Sequence, residues 1–173
     1  YNLIFFGSLW YEPNINALNW LIKKVLKKVW LKDKEIKLLI AGSNPTNKLI
    51  NECKKYKNIT LVRNPIDMSK LIISSKISVA PMISGSGQQN KIIESISLGV
   101  PVITTSIAAE ALELKYDEHL LVADKPEDFA NKILNLNNNY ELYEAISKKG
   151  LEFVNEKYNW ENLVKELIAK IYI

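Results

Sequence analysis

Short apolar runs with no polar alternation, separated by longer stretches of helical period, constrain this chain more than any other feature. Leu3-Ile4-Phe5-Phe6, Lys37 to Ala41, Ile59 to Val62, Ile77 to Ala80, Val102 to Thr104 and Leu120 to Val122 all read as strands. A strand that is apolar on both sides must be covered on both sides, which is the condition of a parallel sheet. Helical spacing follows most of the runs. Between Asn14 and Trp30, Leu18, Leu21, Ile22, Val25, Leu26 and Val29 recur at intervals of three and four. Further helices are expected at Thr46 to Tyr56, Met68 to Ile73, Gln88 to Leu98, Ala108 to Leu112, Glu127 to Leu136, Tyr140 to Glu156 and Trp160 to Ile171. Alternating β and α elements joined by short loops predict a Rossmann-like, doubly wound α/β fold. Its parallel sheet has about six strands, with helices on both faces.

The 173 residues suffice for one full core and are too few for two ordinary domains, so residues 1–173 are read as a single domain. The chain opens directly on an apolar strand with no signal peptide, which is expected of a domain cut from a larger protein. No run approaches the roughly 20 apolar residues of a membrane span. Lone Cys53 allows no internal disulfide and fits a reducing, cytoplasmic compartment. A net charge of +4, read as spread over many lysines and acids, argues against a nucleic-acid partner.

Doubly wound folds bind ligands at the carboxyl ends of their strands. The loops to read are therefore Gly7 to Asn14, Gly42 to Thr46, Arg63 to Asp67, Pro81 to Asn90 and Thr105 to Glu110. The stretch from Ala80 to Glu94 stands out: a strand end, a loop with Gly85 and Gly87, and the first turns of a helix. Glycine-rich backbone can form an anion-binding nest, and a helix N-terminus adds partial positive charge. Lys91 can supply a point charge to a phosphate, and Glu94 can accept two hydrogen bonds from a ribose diol. The bland alternative is a surface Lys91–Glu94 pair beside an ordinary turn. On these residues alone the two readings are even.

The pattern P-x3-G-x-G-x3-K-x2-E, continued by Ser97-Leu98-Gly99-Val100-Pro101-Val102-Ile103-Thr104-Thr105, resembles retaining glycosyltransferases of family 4. Weaker matches are Phe6 to Asn14, Ala109 to Leu112 and Tyr158-Asn159-Trp160, so the similarity covers nearly all of the chain. The resemblance implies the C-terminal, nucleotide-sugar-binding half of a GT-B fold, with the N-terminal acceptor-binding domain missing. It implies sugar transfer from a nucleoside-diphosphate sugar to an acceptor, with retention, without a metal or other cofactor. It also implies an acceptor in a bacterial surface polysaccharide.

Glu94 aligns with the family's ribose-contacting glutamate and Lys91 with a lysine near the diphosphate; these two are the residues expected to carry catalysis. The donor is further expected to meet Gly7, Ser8, Asn14, Gly85, Ser86, Gly87, Gln88 and Gln89. The base is expected against the loop of Arg63, Asn64 and Pro65. Ser86 stands where the family's first glutamate would, and Glu12-Pro13-Asn14 replaces the basic residues common in the first loop. Two alternatives stay open: a GT-B-like nucleotide-sugar epimerase, and a non-catalytic domain that binds only nucleotide or protein.

Other conspicuous residues read more plainly. Lys23, Lys24, Lys27 and Lys28 with Trp20 and Trp30 form either a core-facing helix with a solvated lysine face, the preferred reading, or a membrane-surface helix. A peripheral contact at the inner membrane face is left open for the full-length protein. His119 and Cys53 are expected to be structural, Trp160 a core anchor, and Glu110 either a sugar contact or a helix cap.

Overall fold

The computed structural model describes residues 1–84 and 89–158. Six strands, β1 (Leu3–Ser8), β2 (Leu38–Ser43), β3 (Ile59–Arg63), β4 (Ile77–Ala80), β5 (Val102–Thr104) and β6 (Leu121–Val122), form one sheet in the order β3-β2-β1-β4-β5-β6. Every pairing is parallel. The alternation of side chains along β1 and β2 shows why both faces are covered. Leu3 and Phe5 pack with Leu38 and Ile40 in one core cluster, while Ile4 and Phe6 pack with Leu39 and Ala41 in another. Strand order reverses between β1 and β4, the switch point at which doubly wound sheets open a crevice.

The first crossover is a rod made of α1 (Glu12–Trp20), a π-helical stretch (Leu21–Leu26) and α2 (Lys27–Lys32). All six of its expected core residues, Leu18 to Val29, are fully or almost fully buried. It begins two residues before Asn14 because Pro13 occupies the first turn, where a missing N–H costs nothing. Then follow α3 (Asn47–Cys53), α4 (Met68–Ile73), α5 (Asn90–Ser97), α6 (Ser106–Ala109), α7 (Pro126–Asn138) and α8 (Tyr140–Lys157). Thr46, Asp67 and Asn139 cap α3, α4 and α8 by accepting the N–H groups of Leu49, Lys70 and Leu142.

Other helix limits also differ from expectation, among them the end of α3 at Cys53 rather than Tyr56. α5 starts at Asn90 rather than Gln88. α6 runs over Ser106–Ala109 rather than Ala108 to Leu112, because Asp124 reaches back from beyond β6 to accept the Ser106 N–H at 2.9 Å and its hydroxyl at 3.0 Å. That cap comes from a residue 18 positions away, so local pattern could not reveal it. The expected helix from Trp160 to Ile171 lies outside the described residues, as does the anchoring role of Trp160. Among the described residues no helix is long and apolar enough to cross a membrane.

Candidate functional site

At the strand tips a cleft of about 630 Å³ opens across the switch point. Its lining joins four segments: Phe6, Gly7 and Ser8 ending β1 with Asn14 of α1, Gly42 and Ser43 ending β2, Asn64, Pro65 and Met68 after β3, and Asn90, Lys91 and Glu94 of α5. Seven residues expected at the donor site, Gly7, Ser8, Asn14, Asn64, Pro65, Lys91 and Glu94, are therefore brought together from positions up to 87 apart.

Each is placed by identifiable packing. α5 docks on the sheet through buried Ile92 and Ile96 and through a buried bond from the Ser95 hydroxyl to that of Ser78 at 2.8 Å. The start of the β4–α5 loop is tied down by Thr104 and Thr105, whose hydroxyls donate to the carbonyls of Ala80 (2.7 Å) and Met82 (2.5 Å). These contacts fix the first turn of α5 at the cleft wall. Asn64 holds a positive φ of 47° and its side-chain oxygen accepts the Asn44 N–H, linking the second and third loops.

Lys91 is the electrostatic centre. Its Nζ donates to Asn14 Oδ1 at 2.6 Å, sits 3.7 Å from Met82 Sδ and lies 4.7 Å above the centre of the Phe5 ring. Asn14, itself buried, is held in turn by donating its Nδ2 to the Ser8 carbonyl at 3.0 Å. Among the described residues no ion pair includes Lys91. A largely enclosed ammonium with only neutral partners loses hydration without gaining a counter-charge, and burial pulls its pKa down to about 8. Such a group is poised to receive an anion.

Glu94, three residues further along α5, lines the same cleft while remaining exposed. Partial burial raises its carboxyl above the usual range. It makes no ion pair with Lys91, so the plain surface-pair reading is set aside. Gly7 has φ 141°, and a Cβ there would come within 3.1 Å of Asn14 Nδ2 and 3.6 Å of Lys91 Nζ. A side chain at position 7 would crowd the pair that carries the charge.

Several expectations fall elsewhere. Arg63 lines a separate groove with Ile50, Cys53 and Lys54, because the last residue of β3 points to the α3 side of the sheet edge. Gln89 precedes α5 and accepts the Ile92 N–H on its carbonyl, outside the cleft lining. Gly85, Ser86, Gly87 and Gln88 lie outside the described residues. Within the cleft lining, the Asn14 carboxamide accepts from Lys91 and donates to the Ser8 carbonyl. Glu110 sits in a different depression with Ser106, Ile107 and Tyr116.

Gly42, Ser43 and Asn90 lie in the loops singled out at the strand ends without having been named as donor contacts, whereas Phe6 and Met68 lie outside those loops. Phe6 and Met68 are apolar wall residues with no chemical signature of their own.

The structural expectations for other residues hold. His119 is buried, stacks on Phe153 with ring centres 4.4 Å apart and accepts the Lys115 N–H on Nδ1. Burial lowers its pKa. Burial raises the Cys53 thiol to about 11, far from a reactive thiolate. Trp20 packs edge-on against Phe129, and Trp30 donates its indole N–H to the Ile36 carbonyl at 2.9 Å. Both indoles therefore anchor the α1–α2 rod to the protein.

The model of the family described as Glycosyl transferases group 1 matches residues 1–139. A Klebsiella pneumoniae protein, named only as an uncharacterized 44.6 kDa protein in the cps region, is 29% identical over 177 residues. That alignment covers 98% of this chain and 45% of the relative. Among solved structures, TarM from S. aureus superposes with a TM-score of 0.79 at 22% identity, over 96% of this chain and 34% of TarM. The C-terminal domain of LpcC, a glycosyl transferase group 1 family protein from Francisella tularensis, gives 0.75 at 16% identity, covering 92% of this chain and 87% of that domain. HepE from Anabaena, solved in complex with UDP, gives 0.77 at 8% identity, over 98% and 48%.

These structures share the fold expected of the C-terminal half of a GT-B enzyme. The chain spans less than half the length of the K. pneumoniae relative, of TarM and of HepE. With the match extending over 139 of its 173 residues, the chain belongs to the glycosyl transferases group 1 family.

Proposed function

We propose that this chain is the donor-binding domain of a glycosyltransferase that moves a sugar from a nucleoside diphosphate to an acceptor held by a second domain. The observation that carries this reading is the uncompensated Lys91 ammonium in a switch-point cleft, with Glu94 one helical turn beyond it. A diphosphate supplies the counter-charge that Lys91 lacks. The carboxylate of Glu94 is spaced to accept the hydroxyls of the attached ribose, and the Asn64-Pro65 loop offers a wall for the base. When the glycosidic bond to the diphosphate breaks, negative charge grows on the leaving phosphate. A pre-placed ammonium stabilises that charge without reorganisation.

Residues 1–173 are proposed to fold as one domain, and retention at the anomeric carbon without a resident metal rests on the family resemblance. The cps-region name of the K. pneumoniae relative agrees with a polysaccharide acceptor.

Calorimetric titration of the chain with uridine, guanosine and adenosine diphosphates tests the reading. One of them should bind, and Glu94→Ala should weaken it by roughly 10- to 100-fold, the worth of hydrogen bonds to a charged acceptor. Inorganic pyrophosphate, which has no ribose, should be held equally by both proteins. Failure of all three nucleotides to bind, or equal loss of pyrophosphate, overturns the assignment.

The binding should also depend on pH in a specific direction. Burial brings the Lys91 pKa to about 8, below the ordinary 10.5, so nucleotide affinity should fall as pH rises through 8. Because the bound anion favours the charged lysine, binding between about pH 8 and 10 should take up a proton. Calorimetry in buffers of different ionisation enthalpy measures that uptake; proton release would contradict the site.

A further inference from the structure

The net charge of +4 is not evenly spread over the chain. Between residues 23 and 57 stand eleven lysines and three acids, a net of +8, while the other 138 residues carry twelve basic and sixteen acidic side chains, a net of −4. The fold brings lysines from the two halves of this segment close together. The α1–α2 rod and α3 lie side by side on one face of the sheet, joined by the Trp30 and Tyr56 rings at 5.5 Å. The Glu52 carboxyl on α3 is held below its ordinary range first by Lys55 and further by Lys23 of the rod. Lysines from both segments meet where Lys34, Lys55 and Lys57 surround Trp30, Tyr56 and Asn58 in a shallow depression of about 320 Å³.

Most of these ammonium groups make no close ion pair among the described residues. Among the described residues Lys23, Lys24, Lys27, Lys34, Lys54 and Lys57 enter no ion pair, and all six are exposed. Leu31, 83% exposed, projects from the same rod between Lys27 and Lys34. The depression lies beside the start of β3, at the opposite end of the sheet from the donor cleft. A partner bound there leaves the cleft open.

We propose that the lysine face built from the π-helical stretch, α2 and the turns that follow α2 and α3 docks this domain on an anionic lipid bilayer, through diffuse attraction between unpaired ammonium groups and phosphate headgroups. Lysine suits this task, because its compact charge needs no fixed geometry, whereas nucleic-acid readout favours the planar fork of arginine. The chain has a single arginine, Arg63. Exposed Leu31 has an apolar layer to enter at a bilayer but none along a phosphate backbone. The two tryptophans are committed to internal packing, so the attachment is electrostatic, shallow and reversible by salt.

Vesicle co-sedimentation of the 173-residue chain decides the matter. Vesicles of phosphatidylcholine with about one-third phosphatidylglycerol should carry the protein down at low ionic strength, and vesicles of phosphatidylcholine alone should not. The triple variant Lys23→Glu, Lys24→Glu, Lys27→Glu should lose at least about tenfold in partitioning. Lys115→Glu, Lys125→Glu, Lys148→Glu makes the same change in net charge on exposed, unpaired lysines elsewhere and should stay within about twofold of the parent.

A second triple, Lys34→Glu, Lys54→Glu, Lys57→Glu, reads the same face should the first not fold, as judged by circular dichroism. No sedimentation with anionic vesicles, equal losses in patch and control variants, or tighter binding to duplex DNA than to vesicles would each overturn the proposal. Nucleotide binding, measured on the same variants, should be unchanged, which separates this test from that of the donor site.

Discussion

Lys91→Met should all but abolish nucleoside-diphosphate binding and leave the protein no less stable. The two halves of this result have one cause. The Lys91 ammonium has an amide, a thioether and an aromatic ring for neighbours, and no carboxylate among the described residues. Its pKa of about 8 records that folding disfavours the charge. Discounted for partial exposure, the cost is about 1–3 kcal/mol at neutral pH. Methionine has nearly the same shape and removes that cost. It also strips Asn14 Oδ1 of its donor, which costs about 1 kcal/mol. The net change in stability lies between about zero and +2 kcal/mol.

Binding behaves oppositely. Loss of the one pre-placed cation facing a diphosphate costs about 2–4 kcal/mol, on the order of 100-fold in affinity. The sign can be checked through pH. A lysine whose folded pKa is depressed destabilises fully below that pKa, and the penalty fades as pH rises from about 8 toward 10.5. The parent protein should therefore gain stability relative to Lys91→Met over that interval, in urea unfolding followed by circular dichroism. A variant that melts many degrees lower yet binds nucleotide normally would show Lys91 to be a structural residue.

Gly42→Ala should be the most damaging single-methyl change in the molecule. Gly42 pairs with Gly7 at the carboxyl end of the central β1–β2 ladder. A Cβ built on it lies 1.8 Å from the Gly7 carbonyl oxygen, 2.9 Å from that carbonyl carbon and 3.0 Å from Leu9 Cγ. Two of these three atoms are backbone, so no rotamer change relieves the clash and the strands must part. The expected loss is about 3–5 kcal/mol, a large share of the 5–15 kcal/mol typical of a domain. The melting temperature should fall by about 10 °C or more, with much of the protein insoluble. Ser43→Ala, one residue on, should change stability by less than about 0.5 kcal/mol. Because Gly7 and Gly42 both line the cleft, any Gly42→Ala protein that does fold should also bind nucleotide poorly. Equal melting temperatures for the parent and Gly42→Ala would mean that the strands do not approach this closely.

Much of this was written in the linear sequence. The strands at Ile77–Ala80 and Val102–Thr104 and the helix at Met68–Ile73 coincide with their expected limits, since Pro81 and Pro101 bound the two strands and Asp67 and Ser74 bound the helix. Lys91 and Glu94 could be singled out because they follow two glycines at a strand–helix junction and because the pattern running on through Thr105 resembles a known family; the junction alone left a surface pair equally open. The segregation of lysines was equally present in the sequence but invisible in the net charge, which sums it against acids that fold onto other surfaces.

The alternation of apolar runs and helical periods determined the fold class and the end of the sheet at which the cleft opens, because burying both faces of a strand leaves few topologies. Only the tertiary structure decided which side chains meet. Asn14 reaches Lys91 across 77 residues, Asp124 caps α6 from beyond β6, and Arg63 turns away from the cleft although its neighbours Asn64 and Pro65 line it. The physical reason is range. Periodicity is set by neighbours a few residues apart, whereas the charge state of an enclosed ammonium depends on everything that surrounds it in space.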